Sequence, residues 1–246
     1  MNSKAWAGKV AIVTGTGSGI GAAVARRLRE EGVAVAGLDL APSSDVSLSL
    51  SVDLRDDAAV REAVEATALA LGQATILIHC AGISPPGSIL ESDDALFRDT
   101  YDTNVISAVR LMRHVVPGMR DAGGGAVVMT TSINARFATP GLAAYAASKA
   151  ALESLVRTAA LEFSAWQVRV NGIAPASVDT PMLRASFERA DDPIAAREAN
   201  VGRHPLGRLG TADDVAELAI FLASDASGWM TGGIYPIDGG ASVTRR

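Results

Sequence analysis

The sequence predicts an α/β protein: seven parallel strands in one doubly wound sheet, enclosed by helices as a three-layer α/β/α arrangement, in a single domain spanning residues 1–246. Short runs rich in Val, Ile and Leu alternate with longer Ala-rich amphipathic stretches along the whole chain, which is the pattern of strand–helix–strand units. The strands are apolar at consecutive positions, as a sheet covered on both faces requires. No linker, composition shift, repeat or low-complexity tract divides the chain.

Lys9–Thr14 (KVAIVT) reads as the first strand, followed by a glycine-rich turn and a helix from Ile20 to Glu31 that stops at Gly32. Val33–Asp39 is the second strand and Ser47–Asp53 the third. A helix from Asp56 to Leu71 ends at Gly72, and Thr75–Cys80 (TILIHC) is the fourth strand. Beyond the GISPPG loop a long helix spans Asp93 to Met119, and Gly123–Gly125 lead into a fifth strand, Ala126–Ser132. Leu142–Ser164 is again helical, and Gln167–Ile173 is the sixth strand. Residues 182–204 are charged and weakly periodic, and are expected to form a mobile flap. Thr211 with Asp214 three residues on has the form of a capping box, starting a helix that ends near Ser224. Gly232–Ile237 completes the sheet.

Composition narrows the function classes. Apolar residues make up 48% and aromatics only 4%, so small aliphatic side chains pack a sizeable core. The net charge of −5 leaves no basic footprint for nucleic acid or anionic lipid. A lone cysteine, Cys80, excludes an internal disulfide framework and a cysteine-built zinc site. His79, His114 and His204 lack metal-ligand spacing, so no metal is expected. There is no run of about 18 apolar residues, and the N-terminal stretch is unlike a signal peptide. A cytoplasmic protein is expected.

Gly15, Gly17, Gly19 and Gly21 lie between the first strand and the first helix (TGTGSGIG). A turn this tight needs positive φ, and missing Cβ atoms let a pyrophosphate approach backbone amides at the helix N-terminus. The bland alternative is a glycine-rich connection; strand before and helix after favour the phosphate site. The spacing is Gly-x-x-x-Gly-x-Gly. Asp39 ends the second strand, 20 residues beyond Gly19. A carboxylate there can accept both hydroxyls of an adenosine ribose and would repel a 2′-phosphate. No Lys or Arg stands at 38, 40 or 41, and Ser18 occupies a loop position where a base could have met that phosphate, so NAD is expected over NADP. Asp53 is placed to meet the adenine amino group, or, equally well, to cap a helix before Arg55.

Tyr145 and Lys149, four apart, share one helix face. A phenol ordinarily titrates near about 10, and a nearby ammonium would favour the phenolate and bring it toward general acid/base range. That pair alone is an ordinary amphipathic face. Ser132, ending a strand whose C-terminal edge faces the same crevice, turns it into a constellation: a hydroxyl to hold a substrate oxygen while the phenol moves the proton.

Thr14–Gly21, Asp39, Asn104, Ser132 and Tyr145/Lys149 together resemble the short-chain dehydrogenase/reductase family, in its single-domain branch. The glycine spacing and the Ser132–Tyr145 interval are that branch's own. The likeness extends through VRVNGIAP (Val168–Pro175), DTPM (Asp179–Met182), PLGRLGTADDVAELAIFLAS (Pro205–Ser224) and IDGG (Ile237–Gly240). It implies a Rossmann-type fold and hydride transfer between a secondary alcohol and NAD. By the same resemblance Tyr145 is the proton donor or acceptor, Ser132 steadies the substrate oxygen, and Lys149 holds the nicotinamide ribose and lowers the tyrosine pKa. Asn104 positions a water linking Lys149 to solvent, although a polar residue on an exposed helix face is the bland reading. Gly15, Ser18, Gly19, Ile20, Gly21, Asp39, Asp53, Leu54, Cys80, Ala81, Gly82, Val178 and Thr180 then border the cofactor, with Tyr145 and Lys149. Substrate contacts are expected from Ser84, Pro85, Ser132, Asn134, Arg136, Tyr145, Met182 and the flap, with Arg136 read either as holding an acidic substrate or as a surface residue. Homotetramers are usual, with long helices pairing.

Two departures stand out. His79-Cys80-Ala81-Gly82 replaces the family's common Asn-Asn-Ala-Gly, losing amides that tie strands together. Pro175-Ala176 replaces Pro-Gly, which strains Ala176 if the position needs positive φ. The rival readings are an NADPH-dependent ketoreductase of the 3-oxoacyl-carrier-protein type, against which Asp39 speaks, and a non-catalytic dinucleotide sensor, against which the filled tetrad speaks.

Overall fold

The computed structural model describes residues 6–244. Seven strands form one sheet in the order β3-β2-β1-β4-β5-β6-β7: β1 (Val10–Thr14), β2 (Ala34–Asp39), β3 (Leu48–Ser51), β4 (Ile76–His79), β5 (Gly125–Thr130), β6 (Val168–Pro175) and β7 (Ile234–Ile237). Every pairing is parallel. The α/β, doubly wound, Rossmann-type expectation therefore holds. The helices are α1 (Gly19–Glu30), α2 (Asp57–Leu71), α3 (Asp94–Tyr101), α4 (Ser107–Asp121), α5 (Ala143–Phe163), α6 (Pro181–Glu188), α7 (Pro193–Val201) and α8 (Ala212–Ala223).

Period-two side-chain direction sends alternate residues of each strand into two separate cores. From β1, Val10 and Ile12 join Leu111, Met119, Leu152 and Val156, under α4 and α5. Ala11 and Val13 join Val24, Leu28, Val215 and Ile220, under α1 and α8. Each fully buried Leu or Ile contributes about 1.5–3 kcal/mol, so the sheet is anchored on both faces. In β1, Thr14 pairs with Leu38 on one side and His79 on the other, which brings the ends of β1, β2 and β4 level. The connections leave β1 in opposite directions, opening a crevice at those ends.

Three boundaries differ from expectation. The single long helix is two, α3 and α4, joined by a π-helical turn at Asp102–Ile106. Such a turn inserts a residue without breaking the rod; it buries Asn104 completely, so the exposed-face reading fails. Gln167 does not open the sixth strand, because it adopts the left-handed conformation, φ 57°. Segment 182–204 contains two helices, α6 and α7, each started by a capping side chain, Thr180 and Asp192.

Candidate active site

The helix α1 begins on Ser18, whose hydroxyl caps nothing, and its first turn holds no acidic residue. By contrast α2, α3, α6, α7 and α8 all have capping side chains. The exposed amides and positive dipole end of α1 are thus left for an external anion. Gly15 (φ 72°) and Gly19 (φ 56°) take the conformation only glycine adopts readily. Gly21 is required for space, since a Cβ there would lie 2.2 Å from the Gly15 carbonyl oxygen. The Asp39 carboxylate stands over this loop, accepting from the Gly17 and Ala41 amides at 2.9 Å each. Its two oxygens therefore face the crevice from a fixed position. Asp53 does not cap α2, a role Asp56 fills; it grips Arg55 at 2.7 Å instead. The Arg55 guanidinium holds the Asp53 carboxyl below its ordinary range.

His79 answers the first departure. It is buried, with Nδ1 2.9 Å from Thr14 Oγ1 and Nε2 3.3 Å from Ser107 Oγ. The Cys80 and Ala81 amides both donate to Thr14 Oγ1 at 3.1 Å, and Ser107 donates to the Thr103 carbonyl. Thr14 must then give its proton to Nδ1, which assigns the neutral tautomer protonated at Nε2. One imidazole thus ties β1, β4 and the π turn together, as the missing amides would have done. Burial, helped by the Lys149 charge, pushes its pKa down to about 3. Burial also raises the Cys80 thiol to about 11, which keeps it protonated and unreactive. The second departure is neutral: Gln167 is the only non-glycine among the described residues with positive φ, so Ala176 is unstrained.

Ser132 ends the run after β5 and caps a 3₁₀ turn, accepting from the Asn134 amide at 3.1 Å. Tyr145 lies in the first turn of α5 and Lys149 one turn on, which places both beside that end. The Lys149 ammonium donates to the Thr130 carbonyl at 2.8 Å and lies 5.7 Å from the Tyr145 ring centre. Burial lowers Lys149 to about 8. Tyr145 does not show the depression expected of it: burial raises its pKa, and a hydrogen bond with Ser132 works the other way. The ammonium is committed to a carbonyl and sits over the ring rather than at the hydroxyl. Asn104 accepts from the Ile83 amide at 2.8 Å and donates to the Ile83 carbonyl and Ser148 Oγ. A Cβ at Gly82 would fall 3.1 Å from Asn104 Oδ1 and 3.5 Å from Lys149 Nζ, so Gly82 separates the two groups by one small gap.

These elements converge on a cavity of about 1490 Å³. It is lined by Gly15, Ser18, Gly19, Ile20, Gly21, Asp39, Asp53, Leu54, Cys80, Ala81, Gly82, Ser132, Asn134, Tyr145, Lys149, Val178, Thr180 and Met182. Asn104 lies behind this lining. Ser84 reaches the cavity but Pro85 does not. Arg136 is also outside: it donates to the buried Glu153 carboxylate at 3.1 Å and borders a smaller, separate cavity. Sequence reasoning missed Thr14 and Ser107 as partners of His79 and, within the flap expected at the substrate, did not single out Arg189, Arg203 and His204, which line the cavity. Only the folded flap brings the last three to the crevice.

A glycine-cradled helix end and a Ser–Tyr–Lys cluster on one crevice are the parts of a dinucleotide-binding oxidoreductase. The family model described as enoyl-(acyl carrier protein) reductase matches residues 15–242. The chain is 35% identical to cis-4-hydroxycyclohexanecarboxylate dehydrogenase of Sinomonas cyclohexanicum, over 96% of this chain and 98% of that one. It is also 35% identical to 3-oxoacyl-(acyl-carrier-protein) reductase of Pseudomonas aeruginosa, over 95% and 97%. Aldohexose dehydrogenase of Thermoplasma acidophilum superposes with a TM-score of 0.92 at 28% identity, covering 96% of this chain and 94% of that one. Levodione reductase gives 0.92 at 29%, covering 96% and 98%. The chain belongs to the short-chain dehydrogenase/reductase family and is an oxidoreductase acting on CH–OH donors.

Proposed function

We propose that this chain is an NAD-dependent secondary-alcohol dehydrogenase, working reversibly between alcohol and ketone, as a single domain with 182–204 as its substrate flap. The observation that carries this reading is the convergence of Ser132, Tyr145 and Lys149 with the uncapped α1 N-terminus on one cavity. The fit of the cofactor rests on the uncapped α1 N-terminus and on the close-packed loop before it, where a Cβ at Gly15 would meet the Ala81 amide nitrogen at 2.9 Å and one at Gly21 the Gly15 carbonyl oxygen at 2.2 Å, with Asp39 on the same cavity wall for the ribose. Nicotinamide, when bound, supplies the hydride acceptor. Ser132 orients the substrate hydroxyl, Tyr145 takes its proton in oxidation and returns it in reduction, and Lys149 holds the ribose. Asn104 and Gly82 leave room for a water beside Lys149. Because burial keeps the phenol protonated, oxidation should quicken as pH rises and reduction as pH falls.

Asp39 favours NAD, and the one guanidinium near it on the cavity wall, Arg55, is occupied by Asp53. The relative named for a hydroxycyclohexanecarboxylate favours a cyclic substrate. A cytoplasmic homotetramer is the assembly we expect: Leu161, at the end of α5, is 78% exposed and would be covered by helix pairing. The test is a panel of cyclic and open-chain secondary alcohols with NAD and NADP, following the reduced cofactor's absorbance. NAD should be preferred, and Tyr145→Phe should lose about 10²–10⁴-fold in turnover. A tenfold preference for NADP(H) would transfer the chain to the ketoreductase reading, and full activity in Tyr145→Phe would remove the proposed base.

A further inference from the structure

The charges on the cavity wall are divided between its two ends. Among the described residues its carboxylates are Asp39 and Asp53, the latter paired with Arg55, at the end of β2 and beyond β3, where the adenosine half is expected; Lys149 also lines it, beside Tyr145. On the flap side the wall carries Arg189 and Arg203 and no acid. Of the nearby arginines, Arg184 pairs with Asp179 at 2.7 Å and Arg208 with Asp214 at 2.6 Å, while Arg197 lies off the cavity wall. Among the described residues, neither Arg189 nor Arg203 has a side-chain partner.

Their placement separates them from the cofactor's phosphates. Thr180, at the start of α6, packs against Gly19, its Cγ2 3.2 Å from where a Cβ would lie. Arg189 caps the far end of that eight-residue helix, about 12 Å away at 1.5 Å per residue. Arg203 precedes His204, whose ring is pinned between the Asn200 carbonyl (2.9 Å) and the Ser177 amide (3.4 Å). The backbone under Arg203 is thus fixed while its guanidinium is free. Phe137 and Met182, which also line the cavity, are 45% and 48% exposed, large apolar groups that a substrate's body would cover.

We propose that this end of the cavity selects an anionic substrate: a ring-bearing secondary alcohol with a carboxylate remote from the reacting carbon, its ring against Phe137 and Met182 and its carboxylate on Arg189 and Arg203. Guanidinium–carboxylate pairing is charge-assisted and directional, which suits a specificity contact. The inference rests on the dehydrogenase reading for what is done to the ligand, but not for its binding.

The test uses calorimetry on the full chain with NADH and, in parallel, NADPH. The probes are cyclohexanecarboxylate and its neutral isostere cyclohexanecarboxamide, which lack a hydroxyl and so report binding alone. The acid should bind about tenfold or more tighter than the amide, and added salt should erode only the acid's binding. Arg189→Gln/Arg203→Gln should abolish that advantage. Arg197→Gln, an equal charge change on the same flap but off the cavity wall, should preserve it. Equal binding of acid and amide, no binding of either, or an advantage that survives the double variant overturns the proposal. So does its loss in Arg197→Gln. If the acid binds as expected and yet no alcohol is oxidised, the anion site stands and the dehydrogenase reading falls.

Discussion

His79 does at one position what the family usually does with an amide pair, and the substitution carries a titration with it. Folded, its pKa is about 3; unfolded, it returns to about 6.5. Between those values the unfolded chain binds a proton that the folded chain does not, so stability rises with pH through that window and is lost on acidification below about 6.5. His79→Asn keeps a donor and an acceptor for Thr14 and Ser107 without the titration. Its urea midpoint should therefore fall less than the wild type's between pH 8 and pH 5, while the two differ little in slope above pH 7. Parallel falls in both proteins would show that other groups govern the acid limb. None of this is legible in the chain: Thr14, His79 and Ser107 are 65 and 28 positions apart, and nothing in TILIHC distinguishes a network histidine from a packed one.

At the scale of elements, α8 is the best-read part of the molecule and the α3–α4 pair the worst. Thr211 and Asp214 form the capping box in full, each side chain meeting the other's backbone amide, because its chemistry is entirely local. Arg208 and the Thr211 groups hold the Asp214 carboxyl well below the usual carboxylate range. The stability this contributes is present above the unfolded value and is lost as pH falls below it. Thr211→Ala should lower unfolding free energy by about 1 kcal/mol in urea titration at pH 7. The loss should reach the site as well, since Gly210 bridges to Val178 and accepts from the Asp179 amide at 2.8 Å; cofactor affinity is the second readout. The π turn at Asp102–Ile106 has no such local code. Apolar periodicity runs through it, and only packing against Ile83 and Ser148 makes an inserted residue at Asn104 worthwhile.

The whole molecule gathers the carboxylates of one crevice, Asp39 and Asp53, at its adenosine end with Arg55, and sets Arg189 and Arg203 on the flap side. Cofactor held across the β1–β4 gap binds only the folded chain, so saturation should stabilise it, by about 2.7 kcal/mol at a hundredfold excess over Kd. For a chain of this length that is a melting shift of several degrees, at roughly 2–4 °C per kcal/mol. NAD should produce it, and NADP at equal concentration should produce clearly less, because Asp39 opposes a 2′-phosphate. Equal shifts would remove Asp39 as the discriminating group. Among the described residues no helix is long and apolar enough to cross a membrane.

Strand order, the parallel sheet, the glycine-rich turn before α1 and the cavity positions of Ser132, Tyr145 and Lys149 were readable from the chain itself. Each rests on short-range chemistry: period-two apolar runs, positive-φ glycine, residues one helical turn apart. What folding decided is everything that depends on neighbours distant in sequence: the sign of the Tyr145 shift, the removal of Arg136 from the cavity to Glu153, the relaxed Ala176, and the placement of Arg189 and Arg203 on the cavity wall. Desolvation and charge pairing are properties of surroundings, and surroundings exist only once the chain has closed on itself.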